Sequence, residues 1–319
     1  MIEQNTVFVL GAGASKPYGF PTGDELLECI SSGVTLGKIE ALYRGKRSYN
    51  GSRVVGEYHK LQAKVIETHP KSIDLLISRW PELEWIGKLA IITEILEAEN
   101  KSLKNMATRN AEHWYTELFH KLTDQVTSRG TLVAISKNQI SIVTFNYDRS
   151  LEFRLRTLLE LFLDVDSKDP LVNYFNSINI FHVYGSLGNP FDPKTENYFP
   201  YGQEYGISDV EKLSAGINVM YSSRAKEIRE EVSKLLFKAE RTFFLGFAYH
   251  ASNMEFLQFP PIRRDNIPKR DYFGTCVKVP IKTREELELK FKAGPYPNAP
   301  RNIVVFKDCN CAELVVDYL

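Results

Sequence analysis

The stretch TVFVLGAGASKPYGFPTGDELLECI (residues 6–30) runs from an apolar strand, through a turn of small residues, into a helix. Thr22 followed by Glu25 forms a predicted capping box at the start of that helix. In the GAGAS turn, the small residues allow backbone amides to approach a phosphate group closely. The stretch predicts the first strand–turn–helix unit of an α/β fold. Its turn either binds a phosphate group or is a tight turn without a ligand. The candidate phosphate contacts are Gly11, Ala12, Gly13 and Ser15.

Short β-prone runs recur along the chain, separated by amphipathic helical segments. Near-continuous apolar strands that alternate with helices are typical of a parallel sheet covered on both faces. We therefore expect an α/β fold with a doubly wound, mostly parallel, Rossmann-like sheet. The predicted strands are residues 6–10, 140–145, 178–185, 242–247, 275–280 and 302–306.

The long interval between the first two strands is helical by its hydrophobic period. We interpret residues 40–130 as a helical subdomain inserted into an α/β domain made of residues 1–39 and 131–319. A polar stretch rich in Pro and Tyr, residues 188–208, is predicted to be a long loop that covers a site.

Composition gives no indication of a nucleic-acid-binding or membrane-spanning protein. Forty basic and forty acidic residues cancel, so no global charge steers the protein towards nucleic acid, and no apolar run is long enough to span a membrane. We expect a cytoplasmic protein with reduced thiols. No pair of cysteines has CxxC spacing, so no zinc site is expected. The four cysteines are Cys29, Cys276, Cys309 and Cys311.

The second predicted strand ends in an amide and a carboxylate, in ISIVTFNYDRSLEF (residues 140–153). Open α/β sheets bind ligands at the carboxyl ends of their strands. Asp148 either caps the next helix or faces a ligand. Asn146 lies before the cap position, which favours a ligand-facing role for it.

The GAGAS turn lacks the third glycine of a GxGxxG dinucleotide fingerprint, and an additional loop follows it. GAGAS followed by GFPT instead resembles the opening of the sirtuin superfamily. Four later segments also resemble sirtuin motifs, in the order in which those motifs occur in the family. They are TFNYD (144–148), HVYGSLG (182–188), FFLGF (243–247) and NIVVFKDCNCAEL (302–314).

This resemblance implies a sirtuin-type fold that binds NAD across the carboxyl edge of the sheet. It implies that Asn146 orients the ribose and a water molecule, and that Asp148 accepts from the nicotinamide carboxamide. Further nucleotide contacts implied by it are Phe20, Pro21, Thr22, Gly185, Ser186, Gly246, Asn310 and Cys311.

Sirtuin deacylases usually carry a four-cysteine zinc ribbon, which this sequence lacks. The chain therefore resembles the bacterial sirtuin-like proteins that consume NAD in anti-phage defence. That resemblance implies an NAD glycohydrolase that uses NAD as substrate and needs no metal. It also implies gating by homo-oligomerisation, a partner protein, or both.

The histidine that precedes Gly-Ser in the family is replaced here by Tyr184, and His182 lies two residues earlier. If both belong to one strand, they share a face, and either could act as the acid–base group. Histidine suits that role better than tyrosine near neutral pH, although His182 could also be a core residue. Two other functions stay open: an NAD- or ADP-ribose-sensing module without catalysis, and an NAD-dependent deacylase or ADP-ribosyltransferase.

Overall fold

The structure is a computed structural model that describes residues 1–44, 51–108, 110, 112–165, 169, 174–175, 177–218, 223–259, 269–292 and 302–319. It contains a six-stranded sheet in which every neighbouring pair is parallel. The strand order is β3-β2-β1-β4-β5-β6. The predicted doubly wound α/β fold is therefore confirmed. The strands are β1 Thr6–Leu10, β2 Ile140–Thr144, β3 Asn179–His182, β4 Arg241–Leu245, β5 Asp271–Thr275 and β6 Val304–Lys307.

This strand order determines where a ligand site is expected. The order of connections reverses between β1 and β4, and open sheets of this kind bind ligands at the carboxyl edge beside such a reversal. Leu10 at the end of β1 is opposite Thr144 of β2 and Leu245 of β4. The residues that follow these three strands therefore meet at one edge of the sheet.

Helices cover both faces of the sheet, which explains why β1 and β2 are buried along their whole length. No helix among the residues described is long and apolar enough to cross a bilayer. The α-helices are α1 Gly23–Ser31, α2 Val34–Tyr43, α3 Gly51–Thr68, α4 Ile73–Arg79, α5 Glu84–Ala107, α6 Trp114–Thr123, α7 Ser150–Leu163, α8 Ile207–Ser214, α9 Ser223–Lys238, α10 Ala251–Leu257, α11 Ile281–Lys292 and α12 Cys311–Tyr318.

One predicted strand was misplaced along the chain. We expected the fifth strand at residues 275–280, but β5 ends at Thr275. Lys278 has a φ of 60°, in the left-handed region, and Val277 is exposed. The apolar residues after Thr275 thus belong to a turn that leads to α11, and the strand is formed by the preceding segment DYFGT.

The helices between β1 and β2 hold the GAGAS turn from one side. The indole Nε1 of Trp114 donates to the carbonyl of Ala14 at 2.8 Å, and Asn105 Nδ2 donates to the carbonyl of Tyr18 at 3.1 Å. The helical period of this interval is confirmed by α2–α6. Its separation from the sheet as a subdomain of residues 40–130 stays a prediction.

Candidate functional site

The GAGAS turn packs directly against the residue that follows β4. Gly11 N donates to Leu245 O and Gly13 N to Gly246 O, both at 3.0 Å. Gly246 has a φ of +56°, and a Cβ at this position would lie 1.9 Å from Ala14 N. Glycine is therefore required by the contact between two backbone segments. A phosphate group can accept from these turn amides only if it displaces their bonds to protein carbonyls.

Asn146 joins the end of β2 to the same turn. Its buried side chain donates through Nδ2 to Gly11 O at 3.0 Å and to Ser15 Oγ at 3.1 Å. Its backbone N–H is held by Thr144 Oγ1 at 3.1 Å. The two segments that the sequence marked as candidates are thus in direct contact, although 131 residues separate Ser15 from Asn146.

A chain of buried hydroxyl groups connects Ser15 to Asp148. Ser15 Oγ lies 3.3 Å from Tyr115 OH, and Tyr115 OH lies 2.7 Å from Ser150 Oγ. Asp148 accepts from the hydroxyl and from the backbone N–H of Ser150, the latter at 3.1 Å. Burial raises the pKa of Asp148 above its ordinary value, against the lowering effect of these hydrogen bonds. Asp148 therefore bonds to Ser150, the first residue of α7, but the N-cap of that helix is Arg149 and not Asp148, the cap that the sequence left open.

The polar groups enclose a small cavity beside Asn146. Its volume is about 10 Å³, which is room for about one water molecule and not for a nicotinamide ring. A nucleotide can enter here only if the surrounding side chains move. The cavity is lined by Leu10, Ser15, Tyr115, Thr144, Asn146, Asp148, Leu151, Glu152 and Ile180.

His182, at the end of β3, contacts two elements. Its Nδ1 lies 3.2 Å from the carbonyl of Asn146, and its Nε2 lies 2.6 Å from Glu152 Oε1. Burial alone lowers the pKa of His182, but the charge and hydrogen bond of Glu152, with the Asn146 carbonyl, raise it above its ordinary value. Both ring nitrogens of His182 thus face partners within the protein, so neither is free to accept a proton from a substrate.

The expectation that Tyr184 shares a strand face with His182 is wrong. β3 ends at His182 and a turn follows, in which Gly185 N donates to His182 O at 3.2 Å. The hydroxyl of Tyr184 donates to Asn253 Oδ1 at 2.9 Å. Strand alternation therefore stops before residue 184, and the two candidate acid–base groups meet different neighbours.

Aromatic rings pack beside the tip of β2 on the side of Tyr184. The ring centroid of Phe145 lies 5.7 Å from that of Tyr184, 5.3 Å from that of Phe247 and 5.7 Å from that of Phe256. All four side chains are buried. A ligand that reaches Tyr184 from this side must displace some of these rings.

The other predicted nucleotide contacts have local structural roles. Thr22 and Asn310 cap α1 and α12, and each forms a capping box with a glutamate. Gly185 has a φ of +77°, and a Cβ there would lie 1.9 Å from the carbonyl of Gly216. Burial raises the pKa of Cys311 to about 12, so it is a thiol near neutral pH. Phe20 is buried, whereas Pro21 and Ser186 are half-buried.

Three charged residues near the site were missed by sequence reasoning: Glu152, Arg149 and Glu99. Arg149 and Glu99 are each only 1% exposed and form an ion pair at 2.9 Å. Glu152 and Glu99 lie in amphipathic helices, where a glutamate usually faces solvent. Arg149 follows Asp148 directly, and this Asp-Arg pair ahead of a helix was the one available signal.

Metal ligands are not clustered in the part of the chain that the structure describes. No group of three or more His, Cys, Asp or Glu side chains there has an arrangement that could hold a metal ion. The buried cysteines Cys276, Cys309 and Cys311 are all free thiols.

Comparison with known proteins gives a fold-level likeness. No protein-family model matches the chain, and no curated protein sequence matches it. Among solved structures, the chain is similar to a crystal structure of Sir2 in complex with the inhibitor EX-527, 2'-O-acetyl-ADP-ribose and a deacetylated peptide. The identity is 12%, the match covers 98% of this chain and 91% of that chain, and the TM-score is 0.34. At this identity and TM-score, the likeness carries no argument about this chain, whose fold is established by its own strand order.

Proposed function

We propose that this protein binds NAD at the carboxyl edge of its sheet and cleaves it to nicotinamide and ADP-ribose, as a sirtuin-like NAD glycohydrolase. The observation that carries the proposal is the contact of Asn146 with Gly11 and Ser15 at the reversal of the strand order. These residues belong to the two motifs that most resemble sirtuins, and they come from segments remote in sequence.

The reaction needs few protein groups. The bond between the nicotinamide nitrogen and ribose C1' breaks with its electron pair on nicotinamide, through an oxocarbenium-like ribose, as in glycoside cleavage. A water oxygen then bonds to C1' and releases one proton. The side-chain oxygen of Asn146 can accept from a ribose hydroxyl or from that water, and Asp148 lines the same cavity.

We further propose that the described conformation is a closed one that opens when it is activated. The water-sized cavity and the packed rings beside Tyr184 support this view. Because free NAD is abundant, gating by a second copy of the chain or by a partner protein fits an effector of anti-phage defence. The helices of residues 40–130 and the loop 188–208 are proposed to cover the site.

A non-catalytic NAD or ADP-ribose sensor is the second candidate. It is favoured by the absence of an available base among the described residues at the predicted position: His182 is bonded to Glu152, and Tyr184 to Asn253. A sensor would bind the nucleotide in the same place without releasing nicotinamide.

Nicotinamide release and NAD binding by the purified protein separate the two candidates. We expect Asn146→Ala to lower release on the order of 100-fold, because small misplacement of a reacting group has effects of that size. Asn5→Ala is the matched control, since Asn5 precedes β1 at the opposite edge of the sheet. Binding without release under every activating condition would support the sensor, and absence of binding would reject both.

A further inference from the structure

The contact between His182 and Glu152 has a consequence for the proton content of the site. The atom facing His182 Nδ1 is the carbonyl oxygen of Asn146, at 3.2 Å, and a carbonyl can only accept a hydrogen bond. Nδ1 must therefore carry a proton for this bond to form. On the other side, Nε2 lies 2.6 Å from Glu152 Oε1, so a proton must lie between these two atoms as well.

With Glu152 as a carboxylate, both bonds can exist together only when the imidazole carries two protons. If the ring loses one, the neutral tautomer must choose between its partners. The carboxylate of Glu152 is the stronger acceptor, so the remaining proton stays on Nε2. Nδ1 then presents a lone pair to the Asn146 carbonyl, and the contact with Asn146 is lost.

Asn146 is also the residue whose side chain reaches the GAGAS turn. Its carbonyl accepts from His182, while its Nδ2 donates to Gly11 O and Ser15 Oγ. A connected path therefore runs from α7 through the end of β3 to the tip of β2 and on to the turn after β1. His182 and Glu152 are 14% and 21% exposed, so solvent protons can reach the pair.

We propose that Glu152 and His182 form a positioning pair, in which the doubly protonated imidazole holds the Asn146 backbone and thereby keeps the Asn146 amide on the GAGAS turn. The position of Asn146 therefore depends on pH. The bond from His182 Nδ1 to the Asn146 carbonyl is present below the pKa of His182 and is lost as the pH rises through it. Among the described residues, the charged groups that act on His182 are Glu152 and Asp148, and both favour the protonated ring.

Glu152→Gln tests the pair because glutamine keeps the hydrogen bond and removes the charge. The introduced side-chain amide can donate to an unprotonated Nε2, so the neutral ring keeps its proton on Nδ1 and its bond to Asn146. We therefore expect the pH dependence of the site to disappear in this variant. Glu160→Gln is the matched control: Glu160 is on the same helix, is 22% exposed and is paired with Arg156.

The first readout is the chemical shift of the Asn146 side-chain amide, followed by NMR without nucleotide from about pH 6 to about pH 9, either side of the ordinary histidine pKa. In the wild type and in Glu160→Gln, this signal should move together with the His182 ring signals. In Glu152→Gln it should stay constant. The proposal would be overturned if the wild-type Asn146 amide signal stays constant while His182 titrates, or if this signal moves equally in Glu152→Gln.

The second readout, NAD affinity by calorimetry, rests on the proposed function. We expect wild-type affinity to change about tenfold across the His182 titration, and the affinity of Glu152→Gln to change by less than about twofold, since each factor of ten is about 1.4 kcal/mol. Identical pH profiles in the two proteins would overturn the positioning pair. If no protein binds NAD at any pH, the proposed function fails, and the amide signal alone decides the role of the pair.

Discussion

Gly246 shows how one missing side chain shapes the site. Its backbone lies so close to the GAGAS turn that a Cβ would meet Ala14 N at 1.9 Å and Gly13 C at 2.2 Å. Its φ of +56° also lies in the region that other residues adopt at a cost. The glycine is thus explained by contact within the protein, whether or not a nucleotide also lies against it.

Gly246→Ala is therefore expected to destabilise the protein by at least about 2 kcal/mol, because left-handed strain and a backbone clash add together. Thermal unfolding should show a lower midpoint by several degrees. Gly56→Ala is the control: Gly56 lies in α3 with nothing near its Cβ position, so this change should stabilise by about 0.5–1 kcal/mol. Equal midpoints for Gly246→Ala and the wild type would contradict this explanation.

At the scale of elements, Arg149 fastens the loop after β3 to two helices. Its Nε and Nη2 bind the carboxylate of Glu99 in α5 at 3.1 and 2.9 Å. Its Nη1 and Nη2 also donate to three loop carbonyls, those of Gly188, Phe199 and Pro200. Glu99 in turn accepts from Gly202 N at 2.9 Å. The loop that we predicted to be a lid is therefore anchored along one side.

Replacing only one member of this buried pair leaves an uncompensated charge. We expect Arg149→Met to cost about 3–5 kcal/mol in the free energy of unfolding, measured in urea. The double variant Arg149→Met with Glu99→Leu should recover part of that loss, because the lone carboxylate is gone. Lys234→Met, which breaks an exposed pair with Glu231, should leave the urea midpoint essentially unchanged.

The double variant also reports on the loop itself. Without Arg149, the carbonyls of Gly188, Phe199 and Pro200 lose their donor, so the loop should open more often. Tryptic cleavage after Lys194, within this loop, should become faster than in the wild type. Unchanged cleavage would mean that other contacts hold the loop and that Arg149 is not its anchor.

At the scale of the whole molecule, the site joins the helical interval to the sheet. Tyr147, between Asn146 and Asp148, donates its hydroxyl to Asp74 near the start of α4. Burial raises the pKa of Asp74 to about 7, far above its value in an unfolded chain. Folding therefore favours the protonated carboxyl. The folded protein loses stability when Asp74 ionises in its buried position between α4 and the tip of β2.

The sign of the resulting pH dependence follows from linkage. A carboxyl with a raised pKa contributes stability that is complete below the unfolded pKa and is lost as the pH rises through the folded pKa. Asp74 should therefore lower wild-type stability on the order of 2 kcal/mol between pH 5 and pH 8. Asp74→Asn should remove most of that loss in urea unfolding, whereas Asp308→Asn, at an exposed position after β6, should leave it in place.

Sequence reasoning succeeded where the signal is local. Near-continuous apolar runs identified the strands around residues 6–10 and 140–145, and Thr22 with Glu25 marked the start of α1. The strand prediction failed at 275–280. Val277 and Val279 are typical strand residues, but Lys278 between them has left-handed backbone and belongs to a turn. The prediction that His182 and Tyr184 share a strand face failed for a similar reason, since a turn begins immediately after β3.

The amino-acid sequence by itself determined that strands and helices alternate and that small or polar residues follow the strands, because strand period, capping and glycine turns depend on near neighbours in the chain. Only the tertiary structure decided that Asn146 binds the GAGAS turn, that Glu152 contacts His182 and that Arg149 anchors the loop. Those contacts join residues that are remote in sequence, or they depend on which face of a helix is buried. They exist only once the sheet brings the carboxyl ends of its central strands together.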